Sequence, residues 1–229
     1  MYHTYKYKPV STMLSAIARS TANKLRNIPK KNNIRAFSTD DIIERKLYEI
    51  RTYQLKPEHL MDYLALTGSD AFKARTDASK CNGFFILEMG DVLNSVCHFW
   101  EYESFDHRTD VRAALASDKG FGEYITTIRP WLVSQHSIMT EGWLDIETIE
   151  SGQNGKYLLQ KLDFEYNDEE DGPDREECQN VGHFETLVGN QQEIYVLDRA
   201  ESFEGLTTGV IEDAVGGIMM APSGFSLAQ

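Results

Sequence analysis

Long apolar runs are missing from this chain of 229 residues. No stretch approaches the roughly 18 consecutive apolar residues of a membrane span, and none precedes a small-residue secretory cleavage site, so the sequence reads as neither spanning nor secreted. Cysteine is scarce. Cys81, Cys97 and Cys178 are odd in number and form no C-x-x-C pair, so reduced thiols are expected rather than a disulfide framework or a zinc site. Neither a Gly-x-Ser-x-Gly elbow nor a glycine-rich phosphate loop occurs, which removes common signatures of acyl and phosphoryl transfer. No cofactor is implied. Acid, finally, is absent from residues 1–39, a segment that carries eight Lys or Arg.

That last absence divides the chain electrostatically. From Asp40 onward 15 basic residues face all 36 acidic ones, so the body carries about −21 although the whole chain shows −13. A surface so negative repels phosphate backbones, and nucleic acid is excluded as a partner. In the basic segment Leu14, Ile17, Ala18, Thr21, Ala22 and Leu25 recur at helical spacing. An apolar stripe against a basic, acid-free face is the pattern of a mitochondrial transit peptide. Arg35-Ala36-Phe37-Ser38 sets an arginine three residues before, and an aromatic just before, an expected cut between Phe37 and Ser38. A disordered basic arm is the alternative, and Met13 could itself begin a leader of ordinary length. Residues 1–39 are thus read as a transit peptide and flexible leader.

The body is self-similar. Gly83-Phe84-Phe85-Ile86-Leu87-Glu88-Met89-Gly90 matches Gly182-His183-Phe184-Glu185-Thr186-Leu187-Val188-Gly189, and Glu103-Ser104-Phe105 matches Glu201-Ser202-Phe203. Upstream, the run from Leu47 to Tyr53 has a partner in Lys156 to Leu162; downstream, Ser137-Ile138-Met139 echoes Gly217-Ile218-Met219. Four matches in one order point to duplication: a first domain over 47–140, a linker over 141–155 and a shortened second domain over 156–229.

Within the first copy, Leu47 to Leu55 reads as a strand, and Pro57 suits the first position of a helix that Leu60, Leu64 and Phe72 continue. Gly83 to Met89 and Ser95 to Tyr102 read as a hairpin. Ser104 can cap a helix running from Phe105 toward Pro130, and a short strand is expected near Ser137 to Thr140. The order β-α-β-β-α-β gives an α+β fold of tandem ferredoxin-like repeats, the second reduced in helix content. A truncated gene model would also explain the reduction. In Ser95 to Tyr102, Val96, His98, Trp100 and Tyr102 share one face while Cys97 and Phe99 share the other. Two helices cover only one face of a sheet, so the second must meet another layer, supplied by the second copy or by a second chain.

Arg51, His98 and Glu101 fall on these strands and could line a pocket at a barrel mouth, binding a small anion or serving acid-base chemistry. No third group completes a catalytic set, which favours an inter-strand ion pair and a satisfied core histidine. Trp143-Leu144-Asp145-Ile146 sets an aromatic and an aliphatic residue three apart among acids, a spacing suited to an extended segment that adds to a sheet edge and resembling the short motif by which autophagy cargo receptors hold ubiquitin-like partners. Packing of Trp143 within the linker is the alternative.

Taken together, Tyr48-Glu49-Ile50-Arg51-Thr52-Tyr53-Gln54-Leu55-Lys56-Pro57, Val96-Cys97-His98-Phe99-Trp100-Glu101-Tyr102, Ile218-Met219-Met220-Ala221-Pro222 and the terminal Ser226-Leu227-Ala228-Gln229 resemble the NIPSNAP family. The resemblance implies a tandem of dimeric α/β-barrel-type domains, paired within one chain or as a homo-oligomer. It also implies a mitochondrial address, in the matrix or on the outer surface after depolarisation, and a role in mitophagy through autophagy receptors or ubiquitin-like autophagy proteins. Gly120-Phe121 stands where the family tends to place a Trp. A small-molecule-binding or oxidative enzyme of the same barrel class is the alternative implied by fold, with His98 as a haem ligand by analogy only.

Overall fold

Alternation along the first strand decides the layering. In Lys46–Leu55 (β1), Tyr48 and Ile50 join one buried cluster while Leu47, Tyr53 and Leu55 join another on the opposite face, as the two-residue period of a pleated strand requires. The computed structural model describes residues 45–90, 93–145, 155–163, 178–190, 193–207 and 214–222. The leader with Arg35, Phe37 and Ser38 lies outside the described residues, as does Ile146.

Seven further strands follow: Cys81–Met89 (β2), Ser95–Tyr102 (β3), Leu132–Leu144 (β4), Lys156–Asp163 (β5), Gln179–Val188 (β6), Glu193–Ala200 (β7) and Ala214–Pro222 (β8). They close an antiparallel barrel in the order β1-β3-β2-β8-β5-β7-β6-β4. The first four strands therefore stand as β4-β1-β3-β2 and the last four as β8-β5-β7-β6, the same arrangement twice. Register agrees. Ile50 and Gly83 both face Phe99, as Leu159 and Gly182 both face Leu197, and a register shift precedes each of those glycines.

Two seams join the halves, β4 with β6 and β2 with β8. Each depends on a glycine. A Cβ on Gly142 would lie 1.9 Å from the His183 carbonyl oxygen, and one on Gly90, whose φ of +100° is itself unfavourable for other residues, 2.1 Å from that of Gly217. The barrel is filled by side chains of both halves: Tyr48, Ile50, Phe85, Leu87, Cys97 and Phe99 from the first, and Tyr157, Leu159, Val181, Phe184, Leu197 and Met220 from the second. Phe184 sits at the junction, its ring centroid 5.4 Å from those of Tyr48 and Phe99. The apolar second face of the first sheet thus meets the sheet of the second half.

Outside the barrel, Leu60–Thr67 (α1), Lys73–Ala78 (α2), Phe105–Ser117 (α3) and Lys119–Ile128 (α4) cover the other face of the first sheet. Tyr63, Phe72, Val111, Leu115, Tyr124 and Ile128 pack there against Phe84, Val96, Trp100 and Tyr102. Pro57 opens a 3-10 turn ahead of α1, and Ser104 Oγ accepts the His107 N–H at 3.0 Å to cap α3. In the second half the described helix is the short Phe203–Thr207 (α5), packed through Leu206 on Leu158, Cys178 and Ala200.

Two expectations need correction. The stretch from Phe105 to Pro130 is two helices, because Asp118 takes an extended backbone (φ −80°, ψ 121°) and its carboxylate accepts the Phe121 N–H, ending one helix and capping the next. The final strand of the first half is not a short run near Ser137 to Thr140 but 13 residues long. Its first part, where polar Ser134 to Ser137 hide the strand pattern, is held along β1, and its last part also pairs with β6. Trp143 and Leu144 are thereby strand residues, paired with His183 and Gly182, and a linker can begin only beyond them.

Candidate functional site

Glu49 is the centre of the charged chemistry. It alternates with the barrel-facing Tyr48 and Ile50, so its carboxylate turns toward the helices, where it is fully buried. Oε1 accepts from Ser137 Oγ at 2.6 Å, Arg108 Nη2 at 2.7 Å and Arg51 Nη1 at 3.0 Å; Oε2 accepts from Tyr102 Oη at 3.1 Å. Tyr102 Oη in turn accepts from Arg75 Nη2 at 2.8 Å. Five elements meet here: β1, β3, β4, α2 and α3.

Arg75 is the least conventional member. It is 7% exposed, and its guanidinium carbon lies 3.4 Å from the centroid of the Trp100 ring. Its neighbours are thus an indole face and a phenol, and among the described residues no carboxylate is in hydrogen-bond contact. The Trp100 indole N–H donates to Nδ1 of His98, whose ring stacks on Phe84 at 5.2 Å and meets Tyr53 edge-on at 4.9 Å. Because an indole can only donate, Nδ1 carries the lone pair and neutral His98 bears its proton on Nε2.

Electrostatics follow from this arrangement. Burial alone pushes the Glu49 carboxyl up, but the Arg108 hydrogen bond, the Arg51 charge and the Ser137 hydroxyl outweigh it and hold the group at about 2. His98 is driven well below the ordinary histidine range, first by burial and then by the charges of Arg51 and Arg75, against the opposing pull of Glu49. Cys81 and Cys97 are pushed up to about 12 by burial, which makes them inert thiols rather than nucleophiles.

Acid is therefore expected to weaken the fold in two steps. Both groups bind protons more weakly folded than unfolded, so stability rises with pH wherever only the unfolded chain is protonated. Protonation of unfolded His98 removes stability as pH falls below 6.5. That of unfolded Glu49 does so from 4.5 down to about 2. Urea midpoints between pH 7 and pH 3 should decline in the wild type, with the lower step reduced in Glu49→Gln and its remainder supplied by Glu101 and Glu193, whose carboxyls are also held down by their partners; an unchanged lower step in that variant contradicts the assignment.

The predicted pocket residues are only partly brought together. Arg51 and His98 are register partners on β1 and β3, but they lie beneath the helices and not at a barrel mouth, because that strand face is the one the helices cover. The Arg51 ion pair runs along its own strand to Glu49 rather than between strands. Glu101 pairs with Tyr48, hence belongs to the opposite face, and accepts from Lys46 Nζ and Asn82 Nδ2, both at 2.7 Å. It lines a separate cleft of about 580 Å³ with Arg45, Lys46, Tyr102, Glu103, Ser104 and Glu141 among others. Trp143 is half-buried within β4.

Sequence reasoning missed Arg75, Tyr102, Arg108 and Ser137. A signal existed for two of them: Arg108 precedes Val111 by three and Leu115 by seven, and Arg75 follows Phe72 by three, which places both arginines on buried helix faces. Both carboxylate oxygens of Glu49 accept hydrogen bonds, three on Oε1 and one on Oε2, and His98 Nδ1 accepts the Trp100 indole N–H. Among the described residues no group of three or more His, Cys, Asp or Glu gathers as a metal site, and no helix is long and apolar enough to cross a membrane.

Comparison with known proteins agrees with the sequence resemblance. Residues 48–141 match the NIPSNAP family model. Protein NipSnap homolog 3A of Homo sapiens is 42% identical over 76 residues, covering 33% of this chain and 30% of that protein. Protein NipSnap homolog of Dictyostelium discoideum is 39% identical over 69 residues, 30% of each. This chain therefore matches less than a third of the length of these relatives. Among solved structures, an uncharacterized NIPSNAP domain protein from Burkholderia xenovorans is 27% identical, with a TM-score of 0.39, covering 41% of this chain and 90% of that one.

Proposed function

We propose that this chain, which carries a NIPSNAP domain over residues 48–141, is a non-catalytic mitochondrial interaction protein that contributes to mitophagy by binding autophagy receptors or ubiquitin-like autophagy proteins. The family match over 48–141 carries the reading. The acid-free basic segment before Asp40 supports the mitochondrial address, with residues 1–39 as its removable leader. The donors held against Glu49 and against His98 Nδ1 support the non-catalytic reading.

The body is read as two copies of one unit, 47–140 and 156–229, forming a pseudo-dimer within the chain. The repeated strand order and the matched glycines Gly83 and Gly182 support duplication. For partner contact, the stretch of β4 from Leu132 to Ile138 pairs with β1 on one side and has no strand partner on the other among the described residues. Such an edge can accept an extended peptide. It is a better candidate surface than Trp143, whose backbone the barrel already uses.

Proximity labelling in healthy and depolarised mitochondria tests the proposal. Mitochondrial labelling is expected in both, with autophagy receptors enriched on depolarisation. Labelling confined to another compartment, or unchanged company on depolarisation, would overturn it.

A further inference from the structure

The buried polar layer between the first sheet and its helices is unbalanced in a consistent direction. Two guanidiniums, Arg51 and Arg108, bind one carboxylate, Glu49, and a third, Arg75, reaches it only through the Tyr102 hydroxyl. The charged or ionisable groups that act on Arg75 besides Glu49 are Tyr102, Cys81 and Arg51, none of which supplies a second negative charge near neutral pH. Moreover, the buried atoms of this layer that lack a hydrogen-bond partner among the described residues are Arg51 Nε, Arg75 Nη1, Arg108 Nε and His98 Nε2. All four are N–H donors in this protonation state, and what such a set lacks is an acceptor bearing negative charge. A buried cation without a counter-ion is costly, as is each buried donor left unpaired.

We propose that this layer is an oxyanion-binding site, in which Arg51, Arg75 and Arg108, with His98 Nε2–H, receive a carboxylate or phosphate group. The guanidinium fork suits the paired oxygens of either. Entry is from the margin of β1, β4 and α3, where the side chains of Arg51 and Arg108 are 17% and 24% exposed and Ser137 lies open to solvent. The cleft near Glu101, Glu103 and Glu141 is an unfavourable entrance for an anion, since three acids there face two basic residues, Arg45 and Lys46.

The test is thermal unfolding and calorimetric titration of the full chain with inorganic phosphate and, separately, benzoate, against sodium chloride at matched ionic strength. Saturable binding of at least one is expected, with Tm raised by about 5 °C at a hundredfold excess over Kd. Benzoate ahead of phosphate assigns a carboxylate ligand; the reverse order assigns a phosphate. Arg75→Gln should abolish the response. If that variant does not fold, Arg108→Gln, altered at a partly exposed position, should weaken binding tenfold or more. No saturable binding of either anion, or a response that survives in the folded arginine variant, overturns the proposal.

Discussion

Glu49→Gln should lower the stability of this protein by roughly 3–5 kcal/mol, the usual cost of removing one partner from a buried ionic cluster. At this chain length that corresponds to about 10 °C in Tm. The substitution keeps the side chain's size and one carbonyl acceptor, so little packing is lost. What disappears is the negative charge that accepts from Arg108, Arg51, Ser137 and Tyr102. Three arginines then share the layer with no ionised acceptor, and the amide NH₂ adds a donor where donors already go unmet. Circular dichroism melts at pH 7 provide the measurement; a fall of less than about 2 °C would mean that solvent reaches the cluster and that its burial is not what holds Glu49 at about 2. The second half of the barrel suggests how the cost can be recovered. Counting from the paired positions Ile50 and Leu159, Leu158 stands where Glu49 does and Gln160 where Arg51 does. Glu49→Leu with Arg51→Gln should therefore unfold above Glu49→Gln alone, because it also removes one of the stranded cations.

The contrast between the halves explains what the sequence could disclose. Alternation of Val96, His98, Trp100 and Tyr102 against Cys97 and Phe99 is a strong signal of the layering, since both sets are apolar enough to require cover. The matched glycines are visible in the sequence because each sits at a register shift that a side chain would crowd: a Cβ on Gly83 would lie 2.5 Å from the Phe85 ring, and one on Gly182 would lie 2.9 Å from Leu144. The buried cluster was hidden for the opposite reason. Arg75 and Arg108 look like ordinary solvent-facing helix residues, because a long cationic side chain is usually solvated. Only their spacing from Phe72, Val111 and Leu115 places them inward. Glu101 was grouped with His98 by proximity in sequence, yet three residues along a strand reverse the face, so the two look into different environments.

Cutting the chain after Leu144 should convert the first half into a homodimer. The fragment of residues 45–144 keeps its helices and the outer cluster around Trp100, but it strips Tyr48, Ile50, Phe85, Leu87, Cys97 and Phe99 of the partners that bury them in the barrel. Leaving six such side chains wet forfeits on the order of 10 kcal/mol, at about 2 kcal/mol each, comparable with the whole stability of a domain. The edges of β2 and β4 lose their strand partners as well. A second fragment can supply both at once. In the intact chain β4 pairs with β6 and β2 with β8, and β6 and β8 hold the places in the second half that β2 and β4 hold in the first. Two copies can thus pair β4 of one with β2 of the other, twice, and close a symmetric eight-stranded barrel over the exposed faces. Light scattering on the purified fragment should give twice its chain mass, with dissociation and unfolding concentration-dependent. A fragment that stays monomeric at micromolar concentration, with native circular dichroism and no exposed apolar surface by dye binding, would show that the first sheet can satisfy itself without a sibling layer.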